Sequence, residues 1–445
     1  MDWLLSIEME LRLGVIFVLG TCFGAAANLA INRWAWWSHT VSPWSAGPAE
    51  AAARTWRDRL PVVGWLRLRR EAGFHSVGFW VRPLCIELCF AAALAGLYWW
   101  EVGQLGLIVG QVSLQSTSAL LVPSWVPHAT FLSHTLLLWL MVVASFIDID
   151  EKIIPDEVTV LGTLVGLVLV TLVPMSLLPN VSGPLADPPQ VGVLLNAVSN
   201  LPGSAAGDLF VEPTTAVAPC AWPPILEARP NGWSLAMGLA TYWLWCFALV
   251  PRIWRGRRGP MVALGLIGRR VTRELTRPPL MILALGGSIL ILCGWAVGGG
   301  LWIGMLTGLI GLAGSGGVVW AVRIVSSGAL GREAMGFGDV TLMMMIGTLL
   351  GWQACLIVFF LAPLAGILVG LLQLAVRKDD VIPYGPFLCL AALAVIVLWV
   401  PIWSWAEPIF QMGWIVPIAL GVCLLLLALL LGIWARIKKR LFLQE

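Results

Sequence analysis

Few ionisable side chains lie inside or at the edge of apolar runs in this chain, and two short patterns hold those whose spacing suggests chemistry. One is Ser145-Phe146-Ile147-Asp148-Ile149-Asp150-Glu151-Lys152-Ile153-Ile154-Pro155-Asp156, an apolar run ending in carboxylates. The other is Glu333-Ala334-Met335-Gly336-Phe337-Gly338-Asp339-Val340-Thr341, where two glycines precede an aspartate that opens a further apolar run. Two carboxyl groups a few ångströms apart resist double ionisation, because each charge opposes the other. Sharing one proton, such a pair can activate a water with its charged member and protonate a carbonyl oxygen with its neutral one. Gly336 and Gly338 let backbone come close and take conformations other residues resist, which suits holding an extended peptide beside the acid. Singly, each aspartate has an ordinary explanation: Asp339 as a helix N-cap, Asp148 as an acid at the membrane interface. Only the combination points to peptide hydrolysis.

The elements that must bring these residues together are membrane helices. Of the 445 residues, 59% are hydrophobic and 11% charged, and the mean hydropathy is +0.89. Soluble domains carry roughly 25% charged residues, so lipid is the solvent for most of this chain. That excludes a soluble enzyme, a nucleic-acid binder and a disordered scaffold. Windows of about 20 apolar residues predict helices near 13–32, 83–100, 130–148, 157–178, 233–251, 280–298, 301–322, 339–351, 353–376, 387–402 and 413–435. The expected fold is all-α, a polytopic membrane helix bundle of about nine to eleven transmembrane helices.

Lys and Arg concentrate in cytoplasmic loops. With eleven spans and the N-terminus outside, all of the 27 Lys and Arg except Arg12 and Arg229 fall on the cytoplasmic side, and the C-terminus is cytoplasmic. Asp148 and Asp339 then share one membrane face, because an even number of spans separates their helices. The start of the chain, with Arg12 and Ala25-Ala26-Ala27, is read as a first span rather than a cleaved signal, since export would carry the Arg-rich segment 33–82 outward. Segment 179–232 reads as a long, loosely ordered exported loop. The chain divides into 1–100 with two spans and a basic loop, 101–178 with Asp148, an insertion at 179–300 with a further basic segment at 252–277, and 301–445 with the Gly-x-Gly-Asp motif.

Nine cysteines form no Cys-x-x-Cys pair, and no His-Glu-x-x-His, phosphate loop or Gly-x-Ser-x-Gly appears, so neither metal nor nucleotide is expected. Glu87 is expected to pair with an arginine such as Arg33 or Arg82, and His134 to make a polar packing contact. Two other classes stay open on composition alone: a secondary transporter using the same acids as proton sites, and an inert assembly factor of a secretion system. A transporter would favour acids at the bilayer midplane and two related halves; here the acids sit at helix ends and no repeat is visible.

Further segments add to the pattern. Gly24-Ala25-Ala26-Ala27-Asn28 with Arg33, Asp58-Arg59-Leu60-Pro61, Arg82-Pro83 with Glu87, Ile154-Pro155-Asp156, Gly351-Trp352 and Ile382-Pro383-Tyr384-Gly385-Pro386-Phe387 follow in this order. Together with Glu333–Asp339 they resemble the type IV prepilin leader peptidases, membrane aspartic proteases of the Gly-x-Gly-Asp class. The register of that resemblance, an Asp seven residues before the Pro of Ile-Pro-Asp, selects Asp148 over Asp150. It implies catalytic Asp148 and Asp339, with Gly336, Gly338, Pro155 and Asp156 in support, and no cofactor for the peptidase. It also implies prepilin and pseudopilin precursors as partners beside the lipid bilayer, and a location in the inner (cytoplasmic) membrane. Bifunctional relatives methylate the new N-terminus with S-adenosylmethionine. The loop 33–82 lacks the two Cys-x-x-Cys pairs of many members, and Thr341 replaces their lysine, which sets this chain apart in the methylating region.

Overall fold

Apolar runs this long and this poor in charge fold as helices, since only a helix satisfies its own backbone groups in lipid. The computed structural model describes residues 7–36, 41–75, 77–111, 120–182, 209–220, 222, 231–250, 273, 278–331, 333, 335–376 and 383–442. Its helices are α1 (Met9–Trp34), α2 (Val63–Leu68), α3 (Val81–Tyr98), α4 (Val126–Glu151), α5 (Asp156–Leu172) and α6 (Gly232–Ala248). They continue as α7 (Pro278–Val297), α8 (Gly299–Leu330), α9 (Phe337–Val376), α10 (Gly385–Val397), α11 (Trp399–Gln411) and α12 (Ile415–Phe442). The basic segment 252–277, apart from Arg273, and most of the expected exported loop lie outside the described residues.

Seven of the described helices are long and apolar enough to cross a bilayer, or eight if α10 and α11, bent by 92°, form one crossing. Nine to eleven were expected, and the differences from that number are local. Helices α5 and α6 have 17 residues each, about 25 Å, short of a full hydrocarbon core. The run 387–402, expected as one span, breaks between Val397 and Trp399. The expected connection at 351–353 falls at a kink at Gly351, whose φ 81° and ψ 166° are non-helical and divide α9 into two halves.

That kink reverses the chain. A straight helix would carry Gly366 about 42 Å from Gly338. Yet a methyl on Gly366 would lie 3.3 Å from the ring of Phe387, and a methyl on Gly338 would meet Ile154, which also touches Gly385, two residues before Phe387. The two halves of α9 therefore fold back at Gly351. Its dihedrals lie in a region open essentially to glycine alone.

Small residues set the distance between α8 and the first half of α9. Gly311 abuts the backbone of Gly347 and Gly351, Gly316 abuts Met344, and Ser315 Oγ donates to the Met343 carbonyl at 2.8 Å. Gly304 sits against the carbonyl of Val170 and Gly308 against its side chain, bringing α5 onto the same pair. Close approach of this kind is how helices pack in lipid, where apolar burial alone gives little drive. Met343, Met344 and Met345 are all fully buried there.

At the N-terminal end α1 crosses α3 where Gly20 and Gly24 meet the backbone of Ala91 and Glu87. Residues 41–75 between them form an ordered module. In it, buried Asp58 accepts from the Thr55 N–H, Arg67 and Arg70, and Arg54 makes two bonds to buried Glu71. Glu87 pairs with neutral donors rather than the expected arginine: Asn28 Nδ2, the Val62 N–H and Trp65 Nε1. Arg82 instead forks onto Asp150 at 2.8 and 2.7 Å. His134 makes its polar contact with Glu101, 2.6 Å away and equally buried.

The all-α expectation needs one correction. Leu120–Leu121, Leu209–Pro213 and Pro179–Ser182 form a three-stranded sheet in that order, the first pair parallel and the second antiparallel. The described part of the expected loop is docked rather than loose. Trp352 Nε1 donates to the Ala216 carbonyl, Gln353 Nε2 to those of Thr215 and Ala218, and Trp399 Nε1 to that of Pro179. Buried backbone carbonyls need such donors, and indole and amide groups at the helix ends supply them. These contacts lie about 20 Å from Asp339 along α9, at the far end of the bundle.

Candidate active site

Asp148 occupies the last turn of α4 and is 5% exposed; Asp339 opens α9 and is 7% exposed. Helix α4 ends because Lys152 takes the left-handed conformation, φ 57°, with its N–H donating to the Asp148 carbonyl at 2.8 Å. Such a turn closes a helix and redirects the chain. Ile153 and Ile154 then run beneath the helix end, and Pro155, with φ −68° and ψ 142°, starts α5.

Ile154 is the bridge between the two motifs. It is 6% exposed. A methyl on Gly338 would come 3.0 Å from its Cβ, and a methyl on Gly385 would come 3.0 Å from its Cδ1. The Gly385 N–H donates to Asp148 Oδ2 at 3.1 Å, and a methyl there would lie 2.5 Å from that oxygen. Asp148 is thus held by a backbone donor from a glycine whose missing side chain makes room. On the other side, Gly336 lies beside the Asp339 carboxyl, where a methyl would stand 3.6 Å from its Oδ2.

The two carboxyl groups are close enough to act on each other electrostatically, and both act on the buried thiol of Cys389. Burial, with the charge of Asp339 adding to it, pushes the Tyr384 phenol up to about 12. Carboxyls, the Gly385 N–H, a phenol and a thiol therefore converge from α4, the start of α9 and the start of α10.

The other expected residues are placed around this group. Gly336 is exposed, Gly338 and Pro155 are half-buried, and Asp156 is exposed at the start of α5. Thr341 turns its Oγ1 back onto the Gly338 carbonyl at 3.0 Å. Gly385, Tyr384 and Ile154 belong to segments legible in the sequence, yet their contact with the aspartates is not. Among the described residues no group of three or more His, Cys, Asp or Glu is placed to hold a metal ion.

Comparison with known proteins bears on the second aspartate. Residues 259–371 match the type IV leader peptidase family. The match contains Gly336, Gly338, Asp339 and Gly351 and does not extend to Asp148. A prepilin leader peptidase/N-methyltransferase of Pseudomonas putida is 34% identical over 114 residues, 22% of this chain and 39% of its own length. Those of Aeromonas hydrophila and Aeromonas salmonicida (strain A449) are 34% identical over 130 residues and 32% over 144. They cover 28% and 31% of this chain and 41% and 46% of their own lengths. The chain thus spans about two-fifths of the length of the curated relatives it matches. No solved structure matches it.

Proposed function

We propose that this protein is a membrane aspartic endopeptidase that removes the basic leader from type IV prepilin-like precursors, pseudopilins included. The cut falls at the cytoplasmic face of the inner membrane, between leader and hydrophobic helix. The observation that carries this reading is the meeting of Asp148 and Asp339 around Ile154 and Gly385. The match of residues 259–371 to the type IV leader peptidase family supports it.

In the reaction the pair begins with one proton and a water between the carboxyls. The ionised aspartate takes a proton from the water as its oxygen attacks the scissile carbonyl, and the protonated aspartate gives its proton to the carbonyl oxygen. The resulting gem-diol collapses as a proton passes to the departing amide nitrogen, leaving the pair with a single proton again. The Gly385 N–H holds the Asp148 carboxyl through both steps, so little reorganisation of that acid accompanies the movement of charge.

Co-expression with a prepilin, followed by mass spectrometry of its N-terminus, tests the proposal. Loss of the leader with the native chain, and its retention with Asp148→Asn or Asp339→Asn, is the expected result. Full processing by either variant excludes the mechanism, and an unprocessed prepilin with the native chain leaves the assembly-factor alternative. The same spectrum reads transfer of a methyl group to the new amine, the second activity in the relatives' names.

A further inference from the structure

The turn that delivers Asp339 is gripped by one side chain. Arg323 lies in α8 two turns before its end. Its Nε donates to the Met335 carbonyl at 3.0 Å, and its Nη2 bonds Glu333 Oε1 at 2.9 Å. The guanidinium stands over the Phe337 ring, 5.6 Å from the centroid. Trp320, three residues earlier and on the same face, meets that ring edge-on at 6.1 Å. The Arg323 side chain is 18% exposed and that of Glu333 is 82% exposed. The arginine is therefore the anchored member, and the glutamate is an outer arm. Asp339 follows Phe337 by two residues.

A positive charge at this end of the bundle is what membrane topology demands, and lysine would serve that demand equally. Three directed contacts on one loop are a different matter. They use the planar fork and the flat face of a guanidinium, which an ammonium lacks. We propose that Arg323 is a positioning residue for Asp339, clamping Glu333, Met335 and Phe337 so that the acid stands at its working distance from Asp148. This rests on the peptidase reading of Asp339. Displacement of a reacting group by about 1 Å can lower a rate on the order of a hundredfold.

The test compares full-length Arg323→Lys, Arg323→Ala, Glu333→Gln and Asp339→Asn in detergent, with a prepilin as substrate and thermal melting as the control for folding. Arg323→Ala is expected to lower kcat about ten- to a hundredfold with KM within about threefold, the signature of a group that matters in the transition state. Arg323→Lys, which keeps the charge, is expected to recover only part of that loss, and Glu333→Gln to lose less than Arg323→Ala. Native kcat in Arg323→Lys overturns the clamp, since charge alone then suffices; so does a rise in KM with kcat unchanged. Should Arg323→Ala fail to fold, Arg323→Lys decides the matter. Cleavage by Asp339→Asn defeats the peptidase reading itself, whereas an inert Asp339→Asn beside a native Arg323→Lys defeats only the clamp.

Discussion

The backbone N–H of Gly385 donates to Asp148 Oδ2 at 3.1 Å, across 237 residues of sequence. That bond joins the end of α4 to the start of α10, and the absent side chain of Gly385 makes it sterically possible. Asp148 is consequently held from a segment that carries no ionisable group of its own in Pro383–Phe387 except the phenol of Tyr384.

Gly385→Ala should therefore injure activity more than stability. The added methyl would sit 2.5 Å from Asp148 Oδ2 and 3.0 Å from Ile154 Cδ1, so the carboxyl must move. A fall in kcat of roughly ten- to a hundredfold is expected, with a melting temperature near that of the native chain. Cleavage kinetics beside thermal melting in detergent check it.

Asp148 and Asp150 should separate cleanly. Two residues apart on a helix they point about 200° away from each other, and Asp150 is taken by Arg82 at the surface. Asp148→Asn should abolish leader removal, while Asp150→Asn should leave more than about a tenth of it, since partly exposed ion pairs contribute only about 0–1 kcal/mol. Mass spectrometry of the co-expressed prepilin distinguishes the two.

Gly351→Ala should destabilise the fold by about 1–3 kcal/mol, because the reversal in α9 needs a conformation that side chains resist. Space is not the obstacle, as only Gln353 Oε1 lies nearby, at 3.5 Å. A lowered melting temperature with the docked segment 209–220 more open to protease is the expected outcome.

The module at 41–75 should loosen in acid. Burial of Asp58 works against its charge, but the Thr55 N–H, Arg67, Arg70 and the Thr55 hydroxyl outweigh it and hold the carboxyl well below the usual range. Glu71 is held low chiefly by its bond to Arg54, against burial. A carboxyl whose folded pKa is depressed adds stability that is fully present above its unfolded value, about 3.9 for Asp and 4.3 for Glu. The contribution fades as pH falls below those values and is gone once the folded value is passed. Protease sensitivity of the module should rise below about pH 4 in the native chain. In Asp58→Asn the Asp58 part of that response should vanish, with a loss of about 1.5–3 kcal/mol already at neutral pH.

Much of this molecule was legible before any fold was known, because the strongest signals are local. Hydropathy marks lipid as the solvent and places most helix cores within a few residues, and the spacing of Asp148, Pro155, Gly336, Gly338 and Asp339 marks the candidate site. Hydropathy does not mark a kink. The break expected at 351–353 is present at Gly351, but that the chain turns back there lies in that residue's dihedrals alone. The broken pair α10 and α11 escaped for the same reason.

Partners chosen by geometry were also beyond the sequence. Glu87 takes Asn28, Val62 and Trp65 where charge alone pointed to an arginine, because the packing of α1 and α2 against α3 delivers neutral donors and leaves Arg82 to Asp150. Residue type and spacing along the chain determined which groups have the chemistry to cleave a peptide. Which backbone N–H holds Asp148, and that Ile154 and Arg323 set the stations of the two acids, only the tertiary structure decided. Such contacts join residues from different helices, and neither partner's chemistry names the other.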